Sequence, residues 1–130
     1  MDLQIKGKKA IMAGGSAGMG RATAERLAEA GVDLVITARR KERLEKAAEA
    51  ISAKYKVSVK PIVADSSKAE DRARLLEACP DPDILAITIK PPAPNGDFLK
   101  VTPDMWRESI DTALIAVSYT HLTLPTKWWG

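Results

Sequence analysis

Residues 9–21 read KAIMAGGSAGMGR, and this stretch decides the fold of the chain. An apolar run of short and branched side chains stops at a glycine cluster, and a helix-forming stretch over residues 21–30 follows without a break. The pattern predicts a strand, a tight turn and a helix. The turn carries Gly14, Gly18 and Gly20, a spacing that leaves backbone N–H groups bare at a helix N-terminus, where the helix dipole favours a phosphate.

Each glycine of the turn has a separate predicted role. Gly14 permits the tight turn, Gly18 lets the backbone approach a pyrophosphate, and Gly20 lets the helix pack against the strand. Spacing alone also fits a loop that merely turns a corner. A triphosphate-binding P-loop would need Lys and then Ser or Thr, whereas Arg21 and Ala22 follow Gly20 here. The turn is therefore interpreted as a binding site for a dinucleotide rather than for a nucleoside triphosphate.

Length and composition limit the possible classes of protein. The 130 residues suffice for one domain. The net charge is +3, from 20 basic and 17 acidic residues, and the basic residues are scattered along the chain. This distribution does not indicate a nucleic-acid partner. Cys79 is the single cysteine of the chain, which excludes an intramolecular disulfide and fits a reducing compartment. It has no other cysteine or histidine nearby in the sequence, and we predict no metal site. Residues 1–9 are polar, and no apolar run is long enough to span a membrane. We therefore expect a cytoplasmic protein without a membrane partner.

Three further apolar runs predict strands. They cover residues 32–37, 57–64 and 83–89, although Pro61 weakens the second because it cannot donate to a neighbouring strand. The run over residues 83–89 is the most apolar, and we expect it at the centre of the sheet.

Three further helices are predicted from capping signals and periodicity. Residues 41–54 repeat apolar positions at helical spacing, and Ser67 with Glu70 has the form of a capping box for a helix to about residue 78. Thr102 and Pro103 open another helix, in which we expect Trp106 to anchor the core. Strands and helices thus alternate, which predicts an α/β fold with a Rossmann-like, doubly wound parallel sheet of about four strands and four helices.

Two candidate ligand contacts follow the second and third strands. No acid occupies Ala38, Arg39 or Arg40, where NAD-binding folds place a carboxylate on the ribose 2′-hydroxyl. Arg39 could belong to the solvated first turn of a helix, but beside the glycine turn we favour a guanidinium that binds the 2′-phosphate of NADP. Asp65 is either a plain turn residue or an acceptor for an adenine amine, and its position at a strand's carboxyl end favours the second.

With these elements in place the chain resembles the short-chain dehydrogenase/reductase family from its first strand to about residue 116. The resemblance is carried by the glycine turn, residues 37–40 (TARR), Asp65, residues 83–85 (DIL) and the Thr-Pro-x-x-Trp motif over 102–106. It implies hydride transfer between NADP(H), favoured over NAD(H), and a carbonyl or alcohol. The residues that it implies for cofactor binding are Gly14, Ser16, Ala17, Gly18, Met19, Gly20, Arg39, Asp65, Ser66 and Thr88.

The chain departs from the family pattern at several positions. Ala13 stands where the family usually has Thr, and residues 87–90 read ITIK instead of Asn-Asn-Ala-Gly. Lys90 either points to solvent or contacts cofactor or substrate. Ala113 replaces the helix Asn of the catalytic set, and no Tyr-x-x-x-Lys occurs in the chain. We therefore assign no catalytic residue.

The last residues suggest a reason for the missing motif. Residues 117–126 read VSYTHLTLPT, which looks like the translation of a transposon-end adapter from a sequencing library. We expect residues 1–116 to be an NADP-binding segment and residues 117–130 a non-native tail, a native tail being the alternative. The parent protein would then act on a small-molecule substrate as a homo-oligomer. The competing hypothesis is a non-catalytic dinucleotide-binding sensor or scaffold module.

Overall fold

A computed structural model of the chain describes residues 2–89 and 97–115. Within them, strands and helices alternate along the chain as predicted. The elements are β1 (Lys9–Ala13), α1 (Gly18–Glu29), β2 (Asp33–Ala38), α2 (Lys41–Tyr55), β3 (Val59–Val63), α3 (Ala69–Ala78), β4 (Ile84–Ile87) and α4 (Pro103–Ile110). A short 3-10 turn (Phe98–Lys100) precedes α4, and a π-helical turn (Asp111–Ile115) continues it.

The four strands form one parallel sheet in the order β3-β2-β1-β4. The prediction that the fourth strand lies at the sheet centre is wrong for the described residues, because β4 pairs only with β1 and its residues are half-buried. An apolar run requires cover on its two faces, but it does not specify which strands lie beside it. The two inner strands of the sheet are β1 and β2.

Apolar side chains cover both faces of the sheet, which makes the fold doubly wound. On one face α1 and α2 pack on β1 and β2 around Met12, Ile36 and Leu44, all at 0% exposure. On the other face α3 packs through Leu75 against Ile11. Alternate residues of β1 thus point to opposite cores, as a strand's twofold period requires. The predicted Rossmann-like α/β fold is confirmed.

Two local predictions about helices are wrong. α3 begins at Ala69 without a side-chain cap, because the N-cap position is Lys68 and not Ser67. Ser67 lies one residue earlier, where its hydroxyl donates to Asp65 Oδ1 at 2.6 Å. Trp106 is 46% exposed and anchors no core among the described residues. The cap of α4 is confirmed, since the Met105 N–H donates to Thr102 Oγ1 at 3.3 Å.

Two predictions fall outside the described residues. They are the orientation of Lys90 and the non-native origin of residues 117–130. In the part of the chain that is described, none of the helices is long and apolar enough to cross a membrane.

The packing of α1 on the strand ends predicts the effect of Gly20→Ala. A methyl group at position 20 would overlap the Gly14 carbonyl oxygen and the Thr88 hydroxyl. Because one of these atoms is backbone, relief requires α1 to shift. We expect the free energy of unfolding in urea to fall by about 2–3 kcal/mol.

Ala22→Ser, at an exposed position of the same helix, serves as the control and should change stability by about 0.5 kcal/mol or less. Equal stability of Gly20→Ala and the wild-type chain would contradict the close packing of α1.

Candidate functional site

A cleft of about 750 Å³ lies at the carboxyl ends of the parallel strands. Its walls come from the glycine turn after β1, the ends of β2, β3 and β4, and one face of α4. Open parallel sheets bind ligands at this edge, where strand ends and helix starts face a common space. The candidate site therefore consists of the strand ends that surround this cleft.

The glycine turn is bound to the neighbouring strand. The N–H groups of Gly14 and Gly15 both donate to the Thr37 carbonyl of β2, at 2.9 and 3.1 Å. Gly14 adopts a φ of +95°, which an L side chain rarely takes, and a Cβ there would lie 3.0 Å from Thr88 Oγ1. Both observations explain why a glycine stands at this position.

The start of α1 offers free backbone donors. The Arg21 N–H donates to the Ala17 carbonyl at 3.3 Å, whereas the amides from Gly18 to Gly20 belong to the first turn, which has no intrahelical acceptors. Gly18 has a φ of +58°, and a Cβ there would meet nothing within 4 Å. A ligand can therefore approach the backbone at Gly18, as a phosphate-binding helix start requires.

The predicted residues of the turn occupy three different environments. Gly14, Ser16 and Ala17 line the cleft. Gly18 is exposed, and Met19 is 80% exposed at the helix start. Gly20 is buried against Gly14, so its contribution is to packing rather than to a ligand surface.

The end of β2 supplies a cluster of positive charge. Arg39 lines the cleft together with Arg40 and Arg43, which were not among the predicted contacts. The signal for Arg43 was its place in the first turn of the predicted helix, three residues after Arg40 at the N-cap position. The nearby Glu42 pairs with Lys46 at 3.0 Å. It is not among the residues that form the cleft wall.

The end of β3 supplies one carboxylate. Asp65 Oδ1 accepts the Ser67 N–H at 3.0 Å and the Ser67 hydroxyl at 2.6 Å. The hydroxyl bond chiefly lowers the pKa of Asp65, with help from the positive charges of Arg39 and Lys68, while partial burial opposes the shift. The carboxylate is therefore ionised at neutral pH and can only accept hydrogen bonds.

Ser66 and Thr88 complete the set of predicted contacts, and both line the cleft. Ser66 is buried, with 5% exposure. The Thr88 hydroxyl donates to the Ala13 carbonyl at 3.3 Å, so it joins β4 to the end of β1. Whether either side chain contacts a cofactor stays a prediction.

A charged face of α4 and of the π-helical turn after it closes the cleft, and it was not predicted. Asp104, Arg107 and Glu108 of α4 line the space with Asp111 and Thr112 of the turn. Their spacing is that of one helical face, whereas the prediction for this helix rested on its cap and its apolar positions. The Arg107 guanidinium is paired with Asp104 at 2.7 Å.

Known proteins with the same fold identify the class of protein. The structure superposes on L-sorbose reductase from Gluconobacter frateurii, solved with NADPH and L-sorbose, with a TM-score of 0.90 and 27% identity. That match covers 95% of this chain and 48% of the reductase. A short-chain dehydrogenase from Sphingobium yanoikuyae, solved with NADPH, gives a TM-score of 0.77 and 29% identity over 88% of this chain and 46% of its own.

Sequence comparison defines the family. The short chain dehydrogenase family matches residues 8–126, and the chain belongs to this family of oxidoreductases. An uncharacterized oxidoreductase of Listeria monocytogenes is 38% identical over 114 residues, which are 84% of this chain and 45% of that protein. The chain thus spans less than half the length of these relatives.

The hydrogen bonds on Asp65 predict a pH dependence of stability. Because folding lowers the pKa of Asp65 from its usual 3.8, this group adds stability that is fully present above that value. The contribution is lost as the pH falls through the lower pKa of the folded state. Between about pH 5 and about pH 2, the wild-type chain should therefore lose more unfolding free energy than Asp65→Asn, which cannot titrate.

Urea denaturation at each pH measures this difference. Glu49→Gln, at an exposed position of α2, removes one carboxylate away from the cleft and should keep the wild-type slope. Parallel curves for the wild-type chain and Asp65→Asn would show that Ser67 does not stabilise the ionised carboxylate.

Proposed function

We propose that the cleft binds NADP(H), and that the chain is the cofactor-binding part of an oxidoreductase that transfers hydride between NADP(H) and a carbonyl or alcohol. One observation carries this proposal: Arg39, Arg40 and Arg43 line the same cleft as the glycine turn. Guanidinium groups suit a phosphate monoester, which distinguishes NADP from NAD. The solved relatives that contain NADPH support the same cofactor.

The described residues fit such a ligand along the length of the cleft. The bare amides at the start of α1 and the open space over Gly18 suit a pyrophosphate. Arg39 would bind the 2′-phosphate through two parallel N–H bonds, and Asp65 would accept a hydrogen bond from the adenine amine. The nicotinamide would supply the hydride when bound.

A second function shares this cofactor and differs in chemistry. Ala113 stands where the family has the Asn of its catalytic set, and human "Inactive hydroxysteroid dehydrogenase-like protein 1" is 32% identical over 92% of this chain and 38% of its own length. These observations support a non-catalytic dinucleotide-binding sensor or scaffold as the alternative. A longer genomic reading frame with Tyr-x-x-x-Lys beyond residue 116 would favour the enzyme, and a native stop codon near residue 130 the module.

The remaining expectations concern the parent protein. We propose a small-molecule substrate, a cytoplasmic location and assembly as a homo-oligomer. The apolar side chains of Trp106, Ile110 and Leu114, each about half exposed on α4 and the turn after it, support the last of these.

Nucleotide titration tests the proposed cofactor. We expect the chain to bind NADPH at least about tenfold more tightly than NADH, since hydrogen bonds to a charged group contribute about 1.5–3 kcal/mol. Arg39→Asp should remove or reverse this preference, because it replaces a cation by an anion beside the 2′-phosphate. Nicotinamide fluorescence follows the binding of both nucleotides.

Arg26→Asp is the matched control for the change of charge. Arg26 is an exposed arginine of α1 that pairs with Glu29 outside the cleft, and its replacement should leave the preference intact. A chain that is folded by circular dichroism but binds neither nucleotide would overturn the proposed function. Equal affinities for the two nucleotides would overturn the preference for NADP alone.

A further inference from the structure

Side chains of α3 form hydrogen bonds with the backbone of the turn after β3. Asp71 Oδ2 accepts the backbone N–H of Asp65 at 2.8 Å. Arg72 Nη1 donates to the Ser66 carbonyl at 2.7 Å. Two neighbouring residues of the helix therefore bind two neighbouring backbone groups of the turn, one as an acceptor and one as a donor.

A third side chain extends this arrangement to the strand. Arg74 Nη2 donates to the Val63 carbonyl at 2.9 Å, and its Nη1 donates to Asp71 Oδ1 at 2.8 Å. One carboxylate oxygen of Asp71 thus bonds the guanidinium while the other bonds the turn. We name Asp71, Arg72 and Arg74 the α3 clamp.

The α3 clamp differs from the surface ion pairs of the same molecule. Arg26 and Glu29 have the same spacing as Asp71 and Arg74 and the same 2.8 Å separation, but their side chains are 82% and 55% exposed. In the clamp the Asp71 side chain is only 18% exposed and Arg72 is 8% exposed. Charged groups taken this far from water need well-placed hydrogen bonds, and the clamp makes these bonds to the backbone of one strand end and turn.

The turn held by the clamp carries the groups that face the cleft. Asp65 and Ser66 line the cleft beside Arg39, whereas none of the residues of α3 does. The Asp65 carboxylate is oriented further by the two donors from Ser67. The clamp therefore determines where this carboxylate lies without reaching the cleft itself.

We propose that the α3 clamp positions Asp65 and Ser66 for the adenosine end of a dinucleotide. This inference rests on the proposed function. Asp71, Arg72 and Arg74 are positioning residues, because they act through the backbone of the turn and touch no ligand. Loss of a clamp bond lets the turn relax away from the cleft, and the affinity for an adenosine nucleotide falls.

Calorimetric titration with adenosine 2′,5′-bisphosphate tests this positioning. This probe carries the adenine and the 2′-phosphate but no nicotinamide. Asp71→Ala, which leaves the Asp65 N–H without its acceptor, should weaken binding about tenfold, as expected for loss of a part-buried hydrogen bond. Asp71→Asn keeps an acceptor at this position and should recover the affinity to within about threefold of the wild-type value.

Rescue by Asp71→Asn separates positioning from a general loss of stability or charge. An equal loss in Asp71→Asn and Asp71→Ala would overturn the proposal, because it would trace the effect to the charge of Asp71 and not to its bond with the turn. All titrations are made at a temperature at which circular dichroism shows each variant to be folded.

A second variant and a matched control complete the experiment. Arg74→Ala changes a half-exposed side chain, and it should weaken binding about threefold through the loss of support for Asp71 and Val63. Glu29→Ala removes the exposed ion pair with Arg26 and should leave the affinity unchanged.

The outcomes distinguish this inference from the proposed function. A folded wild-type chain that binds neither NADPH nor the bisphosphate would overturn both. A wild-type chain that binds the probe, with Arg74→Ala and every folded Asp71 variant binding it equally well, would overturn the clamp and leave the cofactor site standing.

Discussion

The direct contact of α1 with the end of β1 is the constraint on which the site depends. Gly20 lies so close to the Gly14 carbonyl and the Thr88 hydroxyl that no side chain fits between them. The helix can therefore begin immediately behind the strand ends, next to Gly14, Ser16 and Ala17, which line the cleft. β1, α1 and β4 meet at this contact, and the Thr88 hydroxyl joins the two strands through the Ala13 carbonyl.

Features that depend on neighbouring residues could be predicted from the sequence. The glycine turn, the alternation of strands and helices and the Thr102 cap depend on backbone conformation and on spacing along the chain. These features are enough to predict the fold, because the helical connection between two parallel strands is right-handed. Successive strand–helix–strand units then place helices on both faces of a parallel sheet. The position of Arg39 and Asp65 at one edge of the sheet follows from the same rule.

Features that depend on distant residues could not be predicted in this way. Ser67 matches a capping signal, but the helix begins one residue later with Lys68 at the N-cap, and Ser67 binds Asp65 instead. Trp106 has the helical spacing of a core residue, but the sequence of its own helix does not show which other surface would cover it. The α3 clamp is hidden for the same reason, since Arg72 in the sequence looks like any exposed helix arginine. The orientation of the Lys90 side chain and the non-native origin of residues 117–130 stay predictions.

The position of β1 has a consequence for how the chain acquires its shape. β1 pairs with β2, which follows after one helix, and also with β4, where the Lys9 N–H reaches the Asp83 carboxylate across 74 residues. Contacts between distant segments form slowly because a long loop must close first. During synthesis the first three strands can assemble in order, but Thr88 reaches the glycine turn only after β4 has left the ribosome. The cleft is therefore completed last, and a nascent chain that ends before β4 has the glycine turn but lacks the cleft residues Thr88 and Ile89.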